Sequence, residues 1–381
     1  MEILFNILNV IKYLIYALLI IALLIFIFLN VSPVFGASPD KNTKEIIVNS
    51  ENFFEGKFRN IKTTYTNFRT LERKSTLKEW FFPPKDKNPL GPLPTIKFQG
   101  QDLTEGKFVW FGHSTLLMKT EGLVVMTDPV FNRASPLPSF SSKSKSSFFN
   151  GKPFVFENPI LIEDLPKVDV VIISHDHYDH LDSKAIKDLS NLVDHFIVPL
   201  GVGAHLERWG VDKNKITELD WYESKSYKDV EFIFAPALHF SGRGITNGNS
   251  TLWGSWIVKS KSLSAYFSGD GGYSETFKKL GNEYGPFDIA FIENGAYNID
   301  WSNVHMFPDE SVQASIDLKA KVLLPIHWSK FDLSIHPWDE PIIRVTQEAK
   351  KKNVKIATPM IGEVFDLNNL PRNPWWEKLR N

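Results

Sequence analysis

The segment VDVVIISHDHYDHLD, from Val168 to Asp182, constrains the fold and the chemistry of this chain more than any other. An apolar, β-branched run ends at Ser174, and directly behind it stand His175, His177, Asp179 and His180. Alternate residues of an extended backbone face one side, so His175 and His177 can point together, and a turn then brings Asp179 and His180 to a neighbouring point. A hydrophobic core does not gather imidazoles and carboxylates in so short a span unless a cation neutralises them. Imidazole and carboxylate donors without thiolate suit zinc, with iron or manganese as less common choices. The same delivery recurs downstream: EFIFAPAL leads to His239, SAYFSG to Asp270 and AKVLLPI to His327, each an apolar strand with one His or Asp at its carboxyl end. Sites in open α/β architectures assemble at that end of the strands. Asp270, in SGDGG, has a competing role as a turn or cap before the helix predicted over YSETFKKL.

From Phe108 onward, short β-branched and aromatic runs alternate with helix-like stretches, which predicts an α/β sandwich. We therefore expect one catalytic domain over residues 51–381, with an irregular wrap at 51–107 that includes the Pro-rich run Phe81 to Pro94. The 43 basic and 44 acidic side chains leave a net charge of −1, so the chain lacks the basic field of a nucleic-acid binder. With no cysteine, disulfides, thiolate zinc fingers and a Cys nucleophile are excluded. Only Lys12 interrupts the apolar run from Val10 to Leu29, which as a helix reaches about 30 Å, enough for a bilayer core. Residues 1–30 read as a single-pass membrane anchor, the alternatives being a signal peptide cut within Val34 to Ala37 and a buried core helix. Lys12 on one side faces Lys41 and Lys44 on the other, which leaves the side of the membrane open. Residues 31–50, with Pro33, Gly36 and Pro39, read as a linker. The Ser/Lys-rich stretch Ser139 to Lys152 reads as a surface loop, or as a lid over a substrate site.

The H-x-H-x-D-H claw with isolated His, Asp and His behind it resembles the metallo-β-lactamase fold superfamily. The segments VWFGHSTLLM, TDPVFNRASP, LWGSW, FSGDGGYSETFKKLG, GPFDIAFIENGAYN and PIHWSKF narrow the likeness to the branch of N-acyl-phosphatidylethanolamine-hydrolysing phospholipase D and its bacterial relatives. The resemblance implies an αββα sandwich with a two-zinc site at the edge of the sheets. His175, His177 and His239 would hold one ion, Asp179, His180 and His327 the other, and Asp270 would bridge them, leaving room for a bridging hydroxide. Asp179 and His305 are the expected catalytic residues, since His305, in NVHMFPDE, matches a His that the phospholipase branch uses near its substrate. His113, in FGHST, is expected close to the site, and Asp182 either bonds a metal-binding His from behind or caps the helix that follows. His195, His205 and His336 read as structural. Glu293 and Asn294 stand where the animal enzymes of that branch carry apolar residues. Three functions follow in order: a membrane-tethered phosphodiesterase acting on a phospholipid or related phosphodiester, a lactonase or other carbon-oxygen hydrolase on a small metabolite, and a non-catalytic metal-binding membrane scaffold. The oligomeric state is left open.

Overall fold

A computed structural model of the chain describes residues 2–61, 75, 78, 79, 82, 84, 86–136 and 151–379. The proposed lid, Ser139 to Lys152, lies outside the described residues except for Gly151 and Lys152. A small hairpin of β1 (Phe53–Phe54) and β2 (Lys57–Phe58) precedes two large sheets. The first is built from β3 (Lys107–Trp110), β4 (Leu116–Thr120), β5 (Leu123–Thr127), β6 (Val168–Ile172), β7 (Val193–Pro199) and β8 (Ile216–Leu219). The second contains β9 (Ser224–Tyr227), β10 (Val230–Ala235), β11 (Ser255–Lys259), β12 (Ser264–Phe267), β13 (Ile289–Glu293) and β14 (Leu323–Ile326). The last strand, β15 (Val364–Asp366), returns to the first sheet and pairs with β3. Strands β5 to β8 run parallel in the first sheet, and β12 to β14 in the second.

Alternation along the strands explains the layering. Phe108, Trp110, Leu116 and Met118 of the first sheet meet Phe232, Phe234, Trp256 and Phe267 of the second in one buried core. Phe108 and Phe291 touch across it, with ring centroids 6.0 Å apart. Residues one step along, Val109, Leu117, Met126 and Val171, turn to the other face and pack on Ile186, Leu189 and Leu206 of the helices Ser183–Leu189 and Gly203–Arg208. On the far side of the second sheet, Val312 and Ala314 of helix Pro308–Asp317 and Ile342 and Val345 of helix Glu340–Lys351 close the core. The result is the expected αββα sandwich, in which each fully buried large apolar side chain contributes about 1.5–3 kcal/mol.

The N-terminal helix α1 (Glu2–Val31) is long and apolar enough over Phe5–Val31 to cross a membrane, and none of that window is buried against the rest of the chain. The buried-core-helix alternative is thereby set aside.

The stretch 31–50 is not the open linker expected from its Pro and Gly content. It docks on the domain and forms helix α2 (Lys41–Asn49), capped by Asp40, with Ile47 buried in the main core. Arg243 donates to the Val34 carbonyl, Trp209 Nε1 to that of Pro33, and Ala37 N–H to His205 Nδ1. A Cβ at Gly36, where φ is 75°, would stand 2.1 Å from His205 Nδ1, so only glycine fits. These partners lie more than 160 residues away in sequence, where local composition cannot reveal them.

Candidate metal centre

The strands deliver the polar residues to one edge. Strand β6 ends just before the claw, β10 before His239, β12 before Asp270 and β14 before His327. Because β12, β13 and β14 are parallel neighbours, Asp270, Glu293 and His327 emerge side by side. Asn294-Gly295 then turns the chain, and a side chain at Gly295 would collide with the His327 carbonyl at 1.9 Å. His113 and His327, both at positive φ, lock together through reciprocal main-chain bonds: His327 N–H donates to His113 O, and His113 N–H to Trp328 O.

All seven residues expected to bind metal converge. Ring nitrogens of His175, His177 and His239 form one group, with His177 Nδ1 2.9 Å from His175 Nε2 and 3.3 Å from His239 Nε2. Asp179, His180 and His327 form a second group, which also includes His113. Asp270 Oδ2 lies between them, 3.0 Å from Nε2 of both His180 and His327 and 4.0 Å from Nε2 of both His175 and His239.

Four of these imidazoles are held from behind. His175 Nδ1 bonds Ser174 Oγ, His239 Nδ1 bonds the Val304 carbonyl, His180 Nδ1 bonds Asp128 Oδ2, and His327 Nδ1 faces the Gly295 carbonyl at 3.3 Å. An acceptor behind each ring takes up its outer N–H and leaves the inward nitrogen as the one available to a metal, the posture of a metal-binding histidine. Asp270 Oδ1 is buried without a hydrogen-bond partner, which costs free energy unless something else satisfies it. The donor set therefore fits divalent metal.

Electrostatics agree. Burial, helped by neighbouring imidazoles, holds His175 and His239 well below the usual histidine range, and burial also lowers the pKa of His177, so all three favour the neutral form. Burial also opposes charge on His180 and His327, but Asp270 and Asp179 outweigh it, and the His327 pKa is pushed up to about 10. For Asp179 and Asp270 burial works against ionisation, yet His180 and the other facing imidazoles keep both carboxyls well below their ordinary value. Protons on two histidines thus balance two buried carboxylates where cations would do so, and metal binding is coupled to their release.

His113 is buried with Nε2 3.0 Å from Asp179 Oδ2, so it braces that carboxylate. His305 Nδ1 bonds Glu293 Oε2 at 2.9 Å, while its ring lines a cleft of ≈ 270 Å³ over the cluster. Of the two roles expected for Asp182, its hydrogen bonds match the helix cap: it accepts from Lys184 and Ala185 N–H and from Asn132, and it bonds none of the clustered histidines. The supporting carboxylate is Asp128 instead, fully buried, accepting from His180 Nδ1 and from Ser174 N–H and Oγ–H. Asp128 follows β5 directly, the same strand-end signal that marked the ligands, inside the quoted TDPVF segment. Glu293, which the sequence marked only as a departure from the animal enzymes, is fully buried and accepts from Gly271 and Met306 N–H as well as binding His305. Asp128→Asn is expected to lower metal affinity by about 10–100-fold; competition titration with a chromogenic chelator would read this, and unchanged affinity would deny Asp128 its supporting role.

Facing mixed sheets with histidines and carboxylates gathered at their strand ends define a metal-dependent hydrolase fold. This chain belongs to the metallo-β-lactamase superfamily: the family model described as the beta-lactamase superfamily domain matches residues 124–328. An uncharacterized protein of Mycobacterium tuberculosis is 40% identical over 297 residues, covering 76% of this chain and 77% of that protein. N-acyl-phosphatidylethanolamine-hydrolyzing phospholipase D 1 of Caenorhabditis elegans is 32% identical over 309 residues, covering 75% of this chain and 84% of that enzyme. Among solved structures, a possible metal-dependent hydrolase from Veillonella parvula shares the fold, with a TM-score of 0.53 at 15% identity over 69% of this chain and 99% of that one.

Proposed function

We infer that the protein is a membrane-tethered, dinuclear zinc phosphodiesterase of phospholipase D type, acting on a phospholipid or a related phosphodiester. The observation that carries this reading is the inward convergence of seven donor residues, four of them imidazoles bonded from behind. His175, His177 and His239 would hold one ion and Asp179, His180 and His327 the second, with Asp270 shared. A divalent pair supplies, when bound, water of lowered pKa and a Lewis acid for a phosphoryl oxygen.

The chain's own residues do the rest. His113 keeps Asp179 turned to the cluster, and Glu293 fixes His305 at Nδ1 so that its other nitrogen serves the cleft. From there His305 can hand a proton to the departing alkoxide. Phe240, Ala296, Trp301, Val304 and Leu333 give the cleft apolar walls, which supports a lipid substrate, as does the activity named for the nematode relative. The helix α1 supports tethering. Docking of Pro33 and Val34 on Trp209 and Arg243 supports an uncleaved anchor, because a cut at Ala37 would remove both carbonyls.

The zinc-loaded full chain is expected to hydrolyse bis(4-nitrophenyl) phosphate and a glycerophospholipid in mixed micelles. Silence on both, with turnover of a lactone panel, would reverse the reading in favour of a carbon-oxygen hydrolase.

A further inference from the structure

Where α1 ends, the protein holds a cavity of ≈ 810 Å³, larger than the cleft over the metal cluster. Its walls come from three places: Phe26 and Leu29 on the last turns of α1, Lys44 and Val48 on α2, and Ile245 on the loop 242–250. A span of 27 residues rises about 40 Å, roughly 10 Å more than a hydrocarbon core, so its end lies in the interface. Phe26, five residues before Val31, lies about 7.5 Å deeper, at the boundary between headgroups and acyl chains. Residues that share a cavity with Phe26 meet the same environment.

Their character suits it. Ile245 is 79% exposed, the most exposed large apolar side chain among the described residues, and Val48 is 65% exposed. Single exposed apolar residues are common; these open on one cavity with a membrane-span helix. Arg208, at the same cavity, donates to the Val31 carbonyl, which puts a guanidinium at the end of the span beside exposed Lys44, where lipid phosphates would stand. Both walls are fixed to the domain, α2 through buried Ile47 and the loop through Arg243, whose guanidinium bonds the Val34, Asp176 and Leu181 carbonyls.

We propose that the loop 242–250 and the Val48 face of α2 form a second membrane contact, with Ile245 entering the leaflet in which α1 ends and lipid filling the cavity. This rests on the reading of α1 as a membrane helix. Phe240, which lines the catalytic cleft beside His177, is five residues from Ile245. Seating the loop in the bilayer would put lipid within five residues of the cleft wall.

The absence of cysteine makes the test direct. Nitroxide labels are placed on full-length Ile245→Cys, Val48→Cys, Leu18→Cys and Lys321→Cys in vesicles of phosphatidylcholine and phosphatidylglycerol. Collisions with oxygen are then compared with those of a water-soluble nickel chelate. The expected result is oxygen preference at 245 and 48, as at Leu18 within α1, and severalfold above Lys321 at the opposite end of β14. Labels at 245 and 48 that behave like Lys321 while Leu18 lies in lipid would overturn the proposal and leave the anchor standing. An aqueous Leu18 would overturn the anchor itself. Dipolar broadening between 245 labels without oxygen preference would assign the patch to a second copy of the chain and likewise overturn the proposal.

Discussion

Asp270→Asn is expected to remove both metal binding and hydrolysis while leaving the fold in place. The side chain sits 3.0–4.0 Å from four imidazole nitrogens, two from each ligand group. Asparagine keeps the shape and loses the anion. His180 and His327 then lose the carboxylate that, once burial is outweighed, does most to favour their charged form, and any divalent pair loses its shared ligand. Loss of a supporting partner outside the ligand set costs about 10–100-fold, and loss of the shared ligand should exceed it, more than about 3 kcal/mol in the activation barrier. Elemental analysis and turnover of a phosphodiester chromogen read both effects, with far-UV circular dichroism to establish folding. Wild-type activity with an altered metal content, or the reverse, would break the link between cluster and chemistry.

The second large effect is expected at His305. If this ring protonates the leaving group, His305→Ala lowers kcat by about 10²–10⁴-fold without changing metal content. The loss should be greatest with lipid substrates, whose alkoxide leaving groups need the proton, and least with a 4-nitrophenyl ester, whose leaving group does not. Glu293→Gln should follow the same substrate pattern with a smaller loss, since it acts only through His305 Nδ1. Glu293 and His305 also lie within ligand distance of Asp270 and His327. A fall in metal content in either variant would make them ligands and deny the proton-transfer role; an equal loss on both substrates would deny it too.

Much of this centre was legible in the sequence because its donors follow apolar strands, and a strand's carboxyl end is a place that sequence can locate. His175, His239, Asp270 and His327 each carry that mark. Asp128 carries it as well, but a lone carboxylate in a TDP turn resembles an ordinary turn residue until its contacts with Ser174 and His180 are visible. Glu293 was visible only as a departure from animal relatives; its pairing with His305 depends on a tertiary contact. Asp182 carried two local meanings, and the short-range one, the helix cap, is what its bonds express. Residues 31–50 misled for a related reason. Pro33, Gly36 and Pro39 are linker residues by composition, yet here the glycine admits His205 and the carbonyls of Pro33 and Val34 satisfy Trp209 and Arg243.

The central claim is that these side chains bind a pair of divalent cations. Elemental analysis of the full-length protein, purified with zinc available and freed of loosely held ion by gel filtration, tests it most directly. The account predicts two zinc ions per chain; a chain that retains none, or that turns over phosphodiesters at full rate after exhaustive chelation, would contradict it.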